Sequence, residues 1–498
     1  MKKYLMAIDA GTGSVRAVLF DVEGNQIGCS QHEWTHNEDP RFPGSMDFDW
    51  TFNWNLASSC VRNVLSETGI DPADIAAIST TCMREGILLY DQDGNEIWAC
   101  ANVDARSTDE VAELIRMDPD LELALYQKSG QSYALNAIPR ILWVKNNLPE
   151  IYEKTAKVGM FNDWLIYKLT GVLAVEPSNG STTGLLDLQT RTWDTDIAAK
   201  CHLRTDIFPD VLECGSIAGA VTAKGAAETG LAEGTPVVVG GGDCQLGTIG
   251  VGACKPGEAA VFGGSFWQYE FNTDSGKTDP YGRVRVNCHA VPGVWQYEAL
   301  AFKPGLVMRW FRDGFCQEEK RKAKEIGDDP YNLMNREAEK IPAGCYGMMC
   351  CFSDVMNFIN WKHAAPTFTN FELLPEKFNK YTFYRSILEN TAMLVKGHIE
   401  LVKEATGNEP DKLIFAGGAS VSDLWSQILA DVTGKTVVTP VVKEATALGA
   451  AILAGYGVGI YPSIAEGAAR CAKVDKTFTP NLENKKIYDE MYPVWREV

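Results

Sequence analysis

The sequence predicts an α/β protein of two domains, with a mixed sheet flanked by helices. Three observations lead there. At 498 residues the chain exceeds the length at which a single hydrophobic core stops growing. Its first thirty residues read as consecutive hairpins and are followed by helical spacing. A strand that ends in a glycine-rich turn occurs in both halves.

The elements follow in order. LMAI, VRAVLF and QIGCS are strand-like runs separated by GTGS and DVEGN, whose Gly, Asn and Asp suit tight turns. An antiparallel meander is therefore predicted from Tyr4 to about Ser30. Trp50, Trp54, Ala57, Val61, Val64 and Leu65 fall close to helical spacing, so Asp49 to Glu67 is expected as a helix. IAAIST (75 to 80) and GILLYD (86 to 91) read as strands, and Asp93-Gly94 marks a hairpin turn. TPVVVGGGDCQLG (235 to 247) is a buried run that stops at three glycines and an acid. AAVFGGSFWQYEF then alternates, and KLIFAGGASVSDLWSQILADVTG gives a strand, a glycine turn and a helix capped by Ser422 or Asp423. The domain boundary is placed near 246 to 250, dividing the chain into 1–246 and 247–498, with no low-complexity linker or short-period repeat.

Composition narrows the function. With 45% hydrophobic and 22% charged residues the chain has the balance of an ordinary globular protein. A net charge of −19 argues against nucleic acid or an anionic membrane surface as partner. No stretch reaches the roughly 20 apolar residues that span a bilayer, and the run after Lys3 is cut at Asp9, too early for a signal-peptide core. Fourteen cysteines without a CxxC pair read as reduced, mostly buried thiols. A cytoplasmic location is expected.

The glycine turns suggest phosphate chemistry. At a strand end, glycine lets an anion approach the backbone N–H groups and permits positive φ. In DAGTGS, Thr12 and Ser14 add hydroxyl donors and Arg16 a charge; the alternative reading is a tight hairpin turn. Gly263-Gly264-Ser265 and Ala416-Gly417-Gly418-Ala419-Ser420 repeat the pattern in the other half, as a ligand the size of ATP would require. Gly276-Lys277-Thr278 and Gly434-Lys435-Thr436 lack the upstream glycine of a Walker loop. GxGxxG is missing from the first hairpin, which argues against a dinucleotide-dependent oxidoreductase.

Taken together, DAGTGSVRAVLFD, GGGDCQLG, GGSFWQ and FAGGASVSDLWSQILAD resemble, in order and over nearly the whole chain, the motifs of the FGGY carbohydrate kinases. The resemblance implies an actin-like (ribonuclease H-like) duplicated two-domain sugar-kinase fold with a central cleft. ATP is then expected mainly on the C-terminal side and the alcohol substrate mainly on the N-terminal side. MREGILLYD, WACANVDAR, STTGLLDL, MRWFRD, FSDVMNF and PVVKEATALGAAILAG resemble a branch that acts on a small polyol- or ketose-like signal molecule. A pentulose or hexulose kinase and a non-catalytic sensor on the same scaffold are the alternatives. A homodimer is admitted.

The roles carried over are these. Asp243 accepts the proton of the substrate hydroxyl, and Gly240, Gly241 and Gly242 before it remove side chains that would crowd a substrate; the alternative for Asp243 is a helix N-cap. Asp9, with Asp243, orients Mg²⁺. Thr12, Gly13, Ser14 and Arg16 hold phosphates, met by Gly264 and Ser265, while Gly417, Gly418 and Ala419 bed the adenosine. Arg84, Glu85, Asn102, Asp104, Tyr133 and Gln245 line the substrate, Arg84 as donor and Glu85 as acceptor. A structural salt bridge between Asp104 and Arg106 is the competing reading of that pair. Phe266 and Trp267 shape the pocket or belong to the core. Ser265 stands where many relatives have Thr, which preserves the hydroxyl.

Overall fold

Short apolar runs in the opening segment build three strands in the computed structural model, which describes residues 3–361 and 364–498. They are β1 (Tyr4–Ala10), β2 (Ser14–Asp21) and β3 (Gln26–Glu33), each antiparallel to the next. Helix α1 (Trp50–Thr68) follows as expected. Asp49 caps it by accepting the Phe52 N–H at 2.9 Å, and Gly69 ends it at φ 66°. Its buried face, Trp54, Ala57, Val61, Val64 and Leu65, joins Met6, Ile8 and Val15 of the sheet in one core. Burying each larger side chain stabilises by roughly 1.5–3 kcal/mol.

Strand β4 (Ile75–Cys82) lies parallel to β1 and is buried along its whole length. The sheet is ordered Ile217–Ala220, Pro236–Gly242, β4, β1, β2, β3. Pro236–Gly242 runs parallel to β4 and Ile217–Ala220 antiparallel to Pro236–Gly242. Ile87–Tyr90 and Glu96–Cys100 form the hairpin expected at Gly94, which has φ 80°.

The same pairing scheme recurs in the second half of the chain. Ala259–Gly263 pairs antiparallel with Trp267–Thr273 and parallel with Lys412–Ala416. Lys412–Ala416 is parallel to Thr436–Pro440, which is antiparallel to Val474–Phe478. Strand for strand this repeats β1 with β2, β1 with β4, β4 with Pro236–Gly242, and that strand with Ile217–Ala220. The duplication, expected only from the family resemblance, is thus written in the hydrogen-bond ladders.

The chain forms two compact units. The first comprises Met1–Pro256, Asn272–Gln296 and Glu444–Lys473, and the second Gly257–Phe271, Tyr297–Lys443 and Val474–Val498. The expected single boundary at 246 to 250 falls inside or just after the helix Asp243–Gly250, and the first crossing comes at Pro256. The helix Ala445–Gly457 returns to the first unit and packs closely on Asp243–Gly250. A Cβ on Gly449 would lie 1.9 Å from the Leu246 carbonyl oxygen, and one on Gly250 1.8 Å from that of Ala445. Periodicity along the chain cannot reveal such a return. None of the fourteen cysteines forms a disulfide, and thirteen are buried. No helix of the described residues is long and apolar enough to cross a membrane.

Candidate active site

Three parallel strands bring two carboxylates to one edge. Asp9 stands opposite Thr81, as does Gly241, while Ala10 and Gly242 flank Cys82. Asp9 and Asp243 therefore emerge at the C-terminal ends of strands separated by β4 alone, where α/β sheets place their ligands. Gly242 occupies the cap position of the helix Asp243–Gly250, so Asp243 is its first residue rather than its N-cap. Its Oδ1 accepts the Cys244 N–H at 2.8 Å and lies 3.4 Å from Arg84 Nε. The Arg84 side chain is 5% exposed and that of Asp243 37%, so a buried guanidinium backs an accessible carboxylate.

The three glycines before Asp243 have separate reasons. A Cβ on Gly240 would lie 1.6 Å from the Thr80 carbonyl oxygen, and one on Gly241 2.7 Å from Ser178 Oγ. Only Gly242 faces Arg84 and Gln245. The expectation that all three clear room for a substrate is corrected: Gly240 and Gly241 are required by neighbouring protein.

At the first turn the hairpin register sets Arg16 opposite Asp9. Arg16 Nε is 3.4 Å from Asp9 Oδ2, and its Nη1 pairs with Glu444. Burial, opposed by Arg16 and reinforced by the charges of Asp243 and Glu444, pushes the Asp9 carboxyl up to about 7. Trp34 Nε1 donates to the carbonyls of Gly11 and Thr12 at 3.0 and 3.2 Å, and the Trp34 N–H to that of Gly13 at 3.1 Å. The carbonyl side of the turn is tied down, the arrangement an anion site needs. Positive φ plays no part here, since neither Gly11 nor Gly13 adopts it. What Gly13 supplies is space, as a Cβ there would meet nothing within 4 Å. Ser14 opens β2 at the foot of the turn.

The expected substrate wall divides in two. Arg140 holds the carbonyl oxygens of Glu85, Asn102 (2.8 Å) and Asp104 (3.3 Å), and Asn102 Nδ2 donates to Thr12 Oγ1 at 2.9 Å. Gln245 is fully buried, and both of its amide atoms are without a hydrogen-bond partner. An unsatisfied buried amide beside Arg84 is a strong sign of a polar ligand. Asp104, by contrast, accepts the Met46 N–H at 2.7 Å and Arg106 Nε at 2.8 Å. Arg106 in turn pairs with Asp47 and lies against Trp98 and Trp143. These contacts are those of the structural salt bridge. Tyr133, 1% exposed, packs in a core cluster with Ile138, Ile141 and Leu185.

The second unit holds a cavity of about 440 Å³ lined by Gly263, Gly264, Ser265, Gly418 and Ala419. Gly417, at φ 89°, is packed on Gly263, whereas Gly418 has open space above it. Ser422 caps the helix Asp423–Thr433 through the Trp425 N–H at 3.2 Å, and Gly434 of the GKT sequence merely ends that helix. The remaining lining includes Arg309, which belongs to MRWFRD, and Tyr331, Asn335 and Tyr384, which no quoted motif contains. Tyr384 donates to Asn335 Oδ1 at 2.8 Å, and Asn335 Nδ2 to Ser422 Oγ at 3.0 Å. Phe266 is half exposed, while Trp267 is buried against Phe415 and Trp425.

Models of the N-terminal and C-terminal domains of the FGGY family of carbohydrate kinases match residues 4–250 and 273–458. The chain belongs to this family. An autoinducer-2 kinase of Salmonella typhimurium is 50% identical over 496 residues, covering 99% of this chain and 94% of the relative. One from Escherichia coli is 49% identical over 498 residues, covering 100% and 94%. Among solved structures, a xylulose kinase from Rhodospirillum rubrum has a TM-score of 0.88 at 23% identity, covering 99% of this chain and 98% of its own. A Plasmodium falciparum glycerol kinase with ADP has a TM-score of 0.86 at 20% identity, covering 99% and 97%. At those identities the likeness establishes the FGGY kinase fold.

Sequence reading missed two charged residues of this FGGY site. Glu444 ends the polar lead of PVVKEATALGAAILAG, and an acid directly before a helical Ala/Gly run was the available signal. Arg285 opens the buried strand Arg285–Cys288 between the buried residues Val284 and Val286, and an arginine flanked by two valines was its signal. Its guanidinium is 2.7 Å from Glu85 Oε1.

Proposed function

We propose that the protein transfers the γ-phosphoryl group of ATP to the primary hydroxyl of autoinducer-2, in its open-chain 4,5-dihydroxypentane-2,3-dione form. The product is an anion that cannot recross a membrane, so the signal is trapped in the cytoplasm. The reaction follows from family membership. The substrate rests on one observation: half of all positions are shared with autoinducer-2 kinases over nearly the full length of both chains.

In this reading the cavity of the second unit holds the nucleotide, with Gly264 and Ser265 at its phosphates and Gly417, Gly418 and Ala419 beneath adenosine. Thr12, Gly13, Ser14 and Arg16 meet the terminal phosphates. Arg84, Glu85, Asn102 and Gln245 orient the alcohol, and Tyr133 and Asp104 shape that wall from behind. Asp243 accepts the hydroxyl proton as the oxygen attacks phosphorus, a contribution of about 10²- to 10⁴-fold. Arg84, at 3.4 Å, holds the carboxylate in place.

The donor set fits a magnesium ion. Asp9 and Glu444 both pair with Arg16, and the Asp9 carboxyl is pushed up to about 7 by burial first and by the charges of Asp243 and Glu444 second. Asp9 and Asp243 would hold the ion directly or through water. It would neutralise charge on the transferring phosphoryl group.

The test is kcat/KM for ATP-dependent phosphorylation across autoinducer-2, xylulose, other ketoses and polyols. Preference for autoinducer-2 by at least tenfold is expected. Preference for a ketose would replace the substrate, and turnover of none would remove the kinase reading.

A further inference from the structure

We propose that Arg285 is a positioning residue for Glu85, and that the pair makes the site select a hydroxyl over a carbonyl where Glu85 meets the substrate. The inference rests on the kinase reading above.

Glu85 is held from three sides. Its backbone is in the left-handed region at φ 67°, rare for a residue with a side chain. Arg140 grips its carbonyl oxygen. The next residue, Gly86, leaves no alternative course, because a Cβ there would lie 2.0 Å from the Phe161 ring. A strained backbone fixed in this way points the carboxylate in one direction, and Arg285 meets it there.

Arg285 is itself fixed. Its side chain is 1% exposed, and its Nε donates to Gln131 Oε1 at 2.8 Å. Gln131, fully buried, donates from Nε2 to the Val286 carbonyl and to Asn287 Oδ1, both at 3.0 Å. The guanidinium fork is therefore oriented before Glu85 reaches it, and a lysine could not reproduce both contacts.

The chemistry follows from counting lone pairs. An ionised carboxylate only accepts hydrogen bonds. Oε1 is the atom that forms the ion pair with Arg285, and the remaining lone pairs, those of Oε2 foremost, can only accept from a ligand. A hydroxyl can donate to them, whereas a ketone oxygen has nothing to donate and meets their negative charge. A substrate carrying a carbonyl at this position is thus bound as its hydrate, and the chemical class selected is the alcohol or gem-diol.

The test takes carbon 3 of autoinducer-2, where the hydrate offers a donor hydroxyl, as the position facing Glu85, and compares autoinducer-2 with 4,5-dihydroxypentan-2-one, which keeps the primary hydroxyl but has no donor there. Full-length wild type, Glu85→Gln, Arg285→Met and the double variant are assayed. Wild type should favour the dione strongly, and each single variant should shrink that preference about 10- to 100-fold, the worth of one charge-assisted hydrogen bond. The double variant should lose no more than Glu85→Gln alone, and KM for ATP should be unchanged throughout. Arg285→Lys, read in the same cycle, serves if Arg285→Met does not fold. Additive losses, or a preference that the variants leave intact, would overturn the proposal. Wild type inactive on both compounds would instead sink autoinducer-2 as the substrate on which the inference rests.

Discussion

Replacing Asp9 by Asn should stabilise the metal-free protein while abolishing its activity. The Asp9 carboxyl, normally half-protonated near 3.8, is raised to about 7 by burial and by the neighbouring charges of Asp243 and Glu444. A carboxyl whose pKa is higher folded than unfolded binds its proton more tightly in the native state. The stability it confers is complete below the unfolded value and is lost as pH rises through the folded one. About three pKa units at 1.36 kcal/mol each give an upper bound of about 4 kcal/mol, lost between about pH 4 and pH 7. Asn carries no charge at any pH and leaves Arg16 paired with Glu444, so no buried cation is orphaned. Urea unfolding of the metal-free protein at pH 5 and pH 8 checks this. The variant should gain about 2–4 kcal/mol over wild type at pH 8 and much less at pH 5. Added Mg²⁺ should stabilise wild type and do little for the variant. An equal effect at both pH values, or a loss at pH 8, would refute the reasoning.

Three further outcomes are expected. Gly240→Ala should destabilise severely, by at least about 2 kcal/mol, because the Thr80 carbonyl oxygen lies 1.6 Å from the new Cβ. Gly13→Ala should leave the melting temperature within a degree or two but raise KM for ATP, since its Cβ meets no protein atom within 4 Å. Arg309→Ala should raise KM for ATP about tenfold with kcat little changed, as expected of a cation that lines the cavity proposed for the nucleotide and takes no part in transfer.

Local signals made much of this protein legible. The meander, helix α1 with its Asp49 cap, and the strand-to-acid junction at Asp243 each follow from residues adjacent in the chain. The candidate site was harder to read, because its parts are joined by contacts over long sequence separations. Glu85 meets Arg285 across two hundred positions, and Arg16 meets Glu444 across more than four hundred. Asp104 and Arg106 look like a site in sequence because charge is conspicuous there, yet both side chains are enclosed by Asp47, Met46 and two tryptophans. Glycine misled in a different way: the same letter stands for open space at Gly13 and for a backbone in contact at Gly240.

The most direct measurement is ³¹P NMR of autoinducer-2 incubated with MgATP and either wild type or Asp243→Asn. Wild type should produce a phosphomonoester on the terminal carbon. The variant should produce it at least about a hundredfold more slowly while binding nucleotide as tightly as wild type. Phosphate appearing on another carbon, or an Asp243→Asn protein as fast as wild type, would contradict the assignment of that carboxylate as the base.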